Sequence, residues 1–256
     1  MSSSKLKMFG QLYLKDLHEV IPEILIVVIG VVLVTAGFFL RSSEPSPIII
    51  VPLVLLLGLA GLLPLVASFK LLSREWSNNT VYLIMSLPVS GAMVMGAKML
   101  VLISQYVIGT LLIAISSYLL YANGLYQYFT PNQSGHMILQ SNPELITHLL
   151  AFYLSGLVLL IFLCSTSFLS QVVGKLSSRF SGLLTAAAFI ATLVLSGKIM
   201  DVLGTGNNAA NLMFIRMTAN AGNFASELNL SSLSYLLMAA VIFILAAIIY
   251  DRKLEL

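Results

Sequence analysis

The chain has 256 residues, of which 59% are hydrophobic and only 9% are charged, and its formal net charge is +3. Charged residues make up about a quarter of an average soluble domain, so this composition excludes an ordinary soluble fold. The excess of basic residues does not indicate a nucleic-acid partner, because these residues are scattered along the chain and form no reading motif.

An amphipathic segment occupies residues 1–20, ahead of the first long apolar stretch. Phe9, Leu12 and Tyr13 share one helical face, with Leu17 close to it, while the charged residues fall largely elsewhere. This pattern is typical of a helix that lies in the membrane interface. The sequence therefore predicts an interfacial helix from which the chain turns into the bilayer. It leaves open whether this helix only anchors the chain or also docks a cytosolic partner.

Six apolar stretches follow, and they predict six transmembrane helices. Crossing about 30 Å of hydrocarbon takes roughly 20 residues in a helix, and the fifth stretch is the shortest of the six. Every backbone amide inside the bilayer must be paired within the protein, which favours helices here because no short alternating segments occur. The predicted spans are residues 21–40, 48–69, 99–121, 146–168, 182–197 and 233–250.

Few polar side chains interrupt these spans. Glu23 lies at the inner edge of the first span, where it either stabilises the helix N-terminus or lines the inner mouth of a pathway. Gln105 and Ser116 lie in the third span, and Ser167 and Gln171 lie near the end of the fourth. Such residues more often make helix–helix hydrogen bonds than substrate contacts. No carboxylate or basic relay falls at mid-membrane, so an ion-coupled carrier is disfavoured and an external energy source is expected.

The basic residues predict which ends of the spans face the cytosol. With the N-terminus inside, 10 of the 13 Lys and Arg residues face the cytosol and 3 face outside. This positive-inside bias predicts that both termini are cytoplasmic. The inner set is Lys5, Lys7, Lys15, Lys70, Arg74, Lys98, Lys175, Arg179, Arg252 and Lys253, and the outer set is Arg41, Lys198 and Arg216.

The longest inner connection, residues 70–98, does not resemble an ordinary polar loop. Residues 77–80 supply N-cap candidates, and residues 81–87 follow as a short apolar helix that Pro88 ends. Ser90 can cap a new helix that continues into the third span. A cytosolic apolar helix of this length must bury its face on lipid, on its own bundle or in a groove of a partner.

Sequence motifs for nucleotide, metal or nucleophile chemistry are absent. Neither Gly-Lys pair has the upstream glycine and the following Ser or Thr of a P-loop. His136 and His148 have no acidic or cysteine companion at metal-ligand spacing, and no G-x-S-x-G elbow occurs. The lone Cys164 lies within the fourth span as a small apolar residue. The sequence therefore predicts a protein that is not an enzyme and that binds no metal or cofactor.

The run from Ser73 to Ser90, followed by Gly96-Ala97-Lys98, resembles the cytosolic signature of type-2 ABC-transporter permeases. Members of that family tend to show an acidic residue, a Thr, an apolar stretch ending in Leu-Pro, and a Lys where the next span begins. The C-terminal residues 249–256 also look like the usual ending of the family. The matching positions are Glu75, Thr80, Leu87, Pro88 and Lys98.

The resemblance implies that residues 70–98 form a coupling segment, whose short helix sits in a cleft of a separate ATP-binding-cassette ATPase subunit. The N-terminal helix would be the connecting helix beside it, acting through Phe9, Leu12, Tyr13 and Leu17. ATP and Mg would bind the partner ATPase. Two permease copies, identical or related, would assemble with two ATPases in a bacterial cell membrane. The implied coupling residues are Glu75, Asn79, Thr80, Leu83, Ile84, Leu87 and Pro88.

The chain as a whole is expected to be one transmembrane domain, residues 1–256, with an outer loop at 199–232. The family often carries re-entrant helices in that loop, and a surface loop resting on lipid is the alternative. The expected function is the permease of an exporter of a hydrophobic or amphipathic substrate, such as a drug, peptide or lipid. The rival is a non-transporting membrane immunity or regulatory protein. An intramembrane enzyme is disfavoured, because the spans lack paired carboxylates and a Ser-His pair.

Overall fold

The computed structural model describes residues 2–40, 50–77, 90–120, 143–175, 180–202 and 221–254. Within these ranges every regular element is an α-helix, and six helices are long and apolar enough to cross a membrane. The prediction of an all-α, multi-pass membrane protein is therefore confirmed. The helices are α1 Ser2–Leu40, α2 Ile50–Ser77, α3 Gly91–Leu120, α4 Pro143–Gly174, α5 Ser181–Val202 and α6 Ala221–Leu254.

Helix α1 is longer than the sequence predicts. The expected interfacial helix and the first span form one helix of 39 residues with Pro22 inside it. At 1.5 Å per residue this helix is about 58 Å long, nearly twice the thickness of the hydrocarbon layer. The amphipathic segment is thus the first half of α1 and not a separate element. The physical reason is that Pro22 removes only one backbone hydrogen bond, to the carbonyl of His18.

Other helices also extend beyond the apolar stretches that predicted them. Helix α5 has 22 residues and so reaches a full span length. Helix α6 begins at Ala221, so the second part of the predicted outer loop is helical. The short helix predicted at 81–87 lies outside the described residues.

Helix α3 lies centrally, in contact with α1, α2, α4 and α6, while α5 packs mainly against α4. The main core cluster draws apolar side chains from five helices, including Val20, Leu72, Leu102, Phe168 and Tyr250. Many large apolar side chains on the outer faces remain exposed, as expected for surfaces that face lipid tails.

Contacts at the two ends of the bundle define the helix directions. At one end, Asp16 of α1, Glu75 of α2 and Lys98 of α3 meet. At the other end, Phe38 of α1 packs with Leu120 of α3. Helices α1 and α3 therefore run in the same direction, and α2 runs in the opposite one.

Candidate functional site

Four charged side chains meet where α1, α2 and α3 approach the same end of the bundle. We call Lys15, Asp16, Glu75 and Lys98 the buried ion cluster. Lys98 Nζ donates to Glu75 Oε1 at 2.7 Å and to Asp16 Oδ2 at 3.2 Å. Lys15 Nζ donates to the same Glu75 oxygen at 3.1 Å and lies 3.9 Å from Asp16 Oδ1. Two cations thus balance two carboxylates.

The buried ion cluster is almost completely shielded. The Lys98 side chain is 0% exposed and the Asp16 and Glu75 side chains are 3% and 4% exposed, whereas Lys15 reaches the surface. Moving such charges out of water costs several kcal/mol per ion, which only close and well-paired geometry repays. Removing one partner would leave an uncompensated charge, so these contacts hold the three helix segments in one arrangement.

Ion pairs continue along the contact between α1 and α2. Glu19 pairs with Arg74 at 4.0 Å, and Glu23 pairs with Lys70. Lys15, Glu19 and Glu23 are spaced four residues apart, so they follow one another along a single helix face. This ladder fixes the register of the first half of α1 against the end of α2.

The buried ion cluster joins the two sides of a chain segment that the sequence singles out. Helix α2 ends at Ser77 and α3 begins at Gly91, while residues 78–89 between them lie outside the described residues. Glu75 and Lys98 stand just before and just after that segment. Their ion pair therefore connects the helix that enters the segment to the helix that leaves it.

The C-terminal end of α6 contacts the end of α2 and the start of α3, close to the buried ion cluster. The Tyr250 ring is fully buried and meets the Trp76 ring edge-on, with centroids 6.4 Å apart. The Gly91 backbone N–H donates to Asp251 Oδ1 at 2.6 Å, so the carboxylate caps the N-terminus of α3. A side chain at position 91 would collide with Tyr250 Cδ1, which lies 2.5 Å from the place of a Cβ atom.

The structure packs the predicted connecting-helix residues against its own bundle. Phe9 and Leu12 contact Val94 and Ala97 at the start of α3. Tyr13 and Leu17 pack on the main core cluster, and the hydroxyls of Tyr13 and Ser104 share a hydrogen bond of 2.9 Å. The apolar face of this half of α1 therefore covers the first turns of α3.

The residues considered for a pathway fall into different environments. Glu23 is buried and bound to Lys70, and Ser116 donates to the Ile113 carbonyl of its own helix at 3.1 Å. Gln105 is 4% exposed, and neither atom of its amide makes a hydrogen bond with a described residue.

Helix–helix hydrogen bonds also form near the end of the fourth span. Gln171 Nε2 donates to the Ser68 carbonyl at 3.1 Å, and Ser68 Oγ donates to Ser167 Oγ at 2.8 Å. This confirms the structural role expected for Ser167 and Gln171. Gln105, for which a helix–helix hydrogen bond was also expected, makes none with the described residues.

Of the residues implied by the resemblance, Glu75 and Lys98 are brought together directly. Sequence reasoning missed Lys15 and Asp16 as their partners. The spacing of Lys15, Glu19 and Glu23 on one face was the available signal, although it names no partner. The other implied coupling residues lie outside the described residues: Asn79, Thr80, Leu83, Ile84, Leu87 and Pro88.

These observations define the class of the protein as a multi-pass membrane protein with a neutral, buried ion cluster at one end. Among the described residues, no group of three His, Cys, Asp or Glu side chains is placed to hold a metal ion. No family model, no curated protein and no solved structure matches the chain.

Proposed function

We propose that the chain is the membrane-spanning permease subunit of an ATP-binding-cassette exporter, driven by a separate ATPase subunit. The observation that supports this most is the buried pair of Lys98 and Glu75, whose charged atoms are 2.7 Å apart. It joins the two sides of the segment that resembles a type-2 permease coupling helix. A partner that grips this segment would act on both flanking helices at once.

Further contacts around this pair connect it to α1 and α6, so a movement at the pair would be passed on to those helices. Asp16 links Lys98 to α1, and Asp251 links the start of α3 to the end of α6. The Lys98–Asp16 contact is buried and the Gly91–Asp251 contact is partly buried, and both involve a charged group, so separating their atoms is costly. A displacement of residues 78–89 would therefore move the ends of four helices together, instead of only bending a loop.

The cargo proposed for this permease is hydrophobic or amphipathic, such as a drug, a peptide or a lipid. Polar side chains within the described spans are few, and most of their hydroxyls donate to a backbone carbonyl of their own helix. Ser68, Ser167 and Gln171 also form hydrogen bonds between helices. Such walls suit an apolar substrate better than a hydrated ion. In this proposal two permease copies pair in a bacterial cell membrane, with both termini and residues 70–98 in the cytoplasm.

The test is the ATPase activity of the reconstituted complex. The chain is purified from its native host, and a stoichiometric companion is identified by its nucleotide-binding sequence and its ATP hydrolysis. Leu83→Asp places a charge on the apolar face of the predicted coupling helix and should abolish coupled hydrolysis. Leu83→Met keeps that face apolar and serves as the matched control. Normal coupling in Leu83→Asp would contradict the proposal.

The same purification separates this function from the rival one. A chain that is isolated stably without an ATPase, yet still protects its host or regulates a target, would be a membrane immunity or regulatory protein. None of the described contacts favours that reading over the permease.

A further inference from the structure

The carboxamide of Gln105 is buried within the bundle without a partner among the described residues. The residue is 4% exposed, and neither its Nε2 nor its Oε1 makes a hydrogen bond there. Gln171 is similarly buried at 6%, and its amide donates to Ser68 and Ser167. An unpaired amide in an apolar interior is unfavourable, so Gln105 is a candidate for binding a polar ligand.

Helices α1, α2 and α3 approach one another closely at Gly109, one turn after Gln105, and this contact shows which residues of α1 and α2 lie near Gln105. A Cβ atom at Gly109 would lie 3.3 Å from Ala60 Cβ and 3.9 Å from Val27 Cγ1, so α1, α2 and α3 meet at this level. Gln105 precedes Gly109 by one helical turn. Glu23 precedes Val27 by one turn on α1, which runs in the same direction as α3.

Glu23 also has a free acceptor at this level. Its Oε1 binds Lys70, whereas its buried Oε2 makes no hydrogen bond with any described residue. On the antiparallel helix α2, Pro64 lies one turn beyond Ala60, in the same direction. Because proline has no N–H, the carbonyl of Ala60 has lost its normal helical donor.

By helix register, the buried acceptors Glu23 Oε2 and Gln105 Oε1 fall at one level of the bundle, and the Ala60 carbonyl on α2 lies within about one turn of it. Lys70 balances the charge of Glu23, so the site is neutral overall; it holds these acceptors together with one donor that is unpaired among the described residues, Gln105 Nε2. A primary ammonium group offers three N–H donors and no acceptor, and it matches these three acceptors. A quaternary ammonium group has the same charge but no N–H donor.

We propose that Glu23, Gln105 and the Ala60 carbonyl form a binding site for the primary ammonium group of an amphiphile. The level of the site, near the inner edge of the first span, is where the head group of an amphiphile would lie. The source of the ammonium is either a free cationic amphiphile or the head group of phosphatidylethanolamine. This site belongs to the chain alone and does not depend on an ATPase partner.

The experiment measures binding of radiolabelled decylamine to the purified chain in phosphatidylcholine nanodiscs, with protein-free nanodiscs as the background. We expect saturable binding that Gln105→Leu weakens at least about tenfold, the loss expected for one hydrogen bond to a charged group. Gln171→Leu, which removes a buried amide elsewhere, should leave the affinity unchanged. Gln105→Glu keeps the acceptors and adds charge, so it should tighten binding and also reports on the site if Gln105→Leu folds poorly.

Competition experiments test two points: whether binding requires the N–H donors, and whether the ligand is a lipid head group or a free amphiphile. Decyltrimethylammonium should compete poorly, because it lacks N–H donors. Competition by added phosphatidylethanolamine assigns the site to a lipid head group, and its absence assigns the site to a free amphiphile. The proposal is overturned if decyltrimethylammonium competes as well as unlabelled decylamine, if binding does not saturate, or if both Gln105 variants bind like the wild type. Binding without any copurifying ATPase would leave this site standing while the proposed permease function failed.

Discussion

Lys98 of α3 and Glu75 of α2 are 23 residues apart in sequence, yet their charged atoms lie 2.7 Å from each other in a shielded cluster. Asp16 of α1 accepts a second hydrogen bond from the same ammonium group at 3.2 Å. One lysine thus joins three helices near the C-terminus of α2 and the N-terminus of α3. Because the Lys98 side chain is 0% exposed, water cannot take over either contact.

Removal of the Lys98 charge should destabilise the protein strongly. Lys98→Met keeps the length of the side chain but leaves the Asp16 and Glu75 carboxylates buried beside the half-exposed Lys15. Losing one partner of a buried ion pair typically costs about 3–5 kcal/mol. We expect a loss of this size in the free energy of unfolding, measured by denaturant titration in detergent micelles.

Lys198→Met is the matched control for this substitution, because Lys198 lies exposed on α5. A change within about 0.5 kcal/mol is expected for a surface position. Adding Glu75→Gln to Lys98→Met should recover part of the loss, since the two residues are in contact and their effects are not additive. Equal stability of Lys98→Met and Lys198→Met would show that the cluster does not hold the helices together.

The six spans could be predicted from the sequence because hydropathy alone separates lipid-facing helices from their connections. The helix bounds could not, as α1 and α6 show. A hydropathy window detects the part of a helix that suits hydrocarbon, whereas the hydrogen-bonded helix continues wherever no breaker stops it. Thus α1 begins at Ser2 and α6 begins at Ala221, each well before its apolar stretch.

The candidate site was predictable only in part, because its contacts join residues that are far apart in the sequence. The likeness of residues 73–98 to a permease signature pointed to Glu75 and Lys98, but not to their direct contact. Asp16 joins Lys98 across 82 residues, a pairing that no local pattern encodes. Likewise, Ser167 and Gln171 were expected to bind another helix, but the sequence could not name Ser68 as the partner.

The contact between α6 and the start of α3 predicts that Gly91 tolerates no side chain. In Gly91→Ala the new Cβ would fall 2.5 Å from Tyr250 Cδ1 and would push on the Asp251 cap. Overpacking of this kind costs about 1–3 kcal/mol, which should appear as a lower melting temperature in detergent. Gly182→Ala, at the start of α5 and with no atom within 4 Å of the added Cβ, should be neutral or slightly stabilising. Equal losses in both variants would contradict the close contact.

The two buried glutamines predict opposite effects on stability when each is replaced by leucine. Gln171→Leu deletes hydrogen bonds to Ser68 and Ser167 and leaves the Ser68 carbonyl without that donor, at a cost of about 1–3 kcal/mol. Gln105→Leu removes an amide that makes no hydrogen bond with a described residue, so the free energy of unfolding should stay the same or rise. Unfolding of both variants in amine-free detergent is the measurement. A loss in Gln105→Leu as large as that in Gln171→Leu would mean that Gln105 is bound within the fold.

The proposed orientation predicts that residue 83 is reached by reagents from the cytoplasm only. The single native cysteine, Cys164, is fully buried, so it should react slowly with maleimides and leave a low background. Leu83→Cys should be labelled by a membrane-impermeant maleimide in inside-out vesicles and not in intact cells, because ten basic residues favour that side. Gln133→Cys, in the connection after the third span, should show the reverse pattern. Labelling of residue 83 in intact cells would place the segment at 78–89 on the outer face, where no cytoplasmic ATPase could reach it, and the proposed coupling would fail.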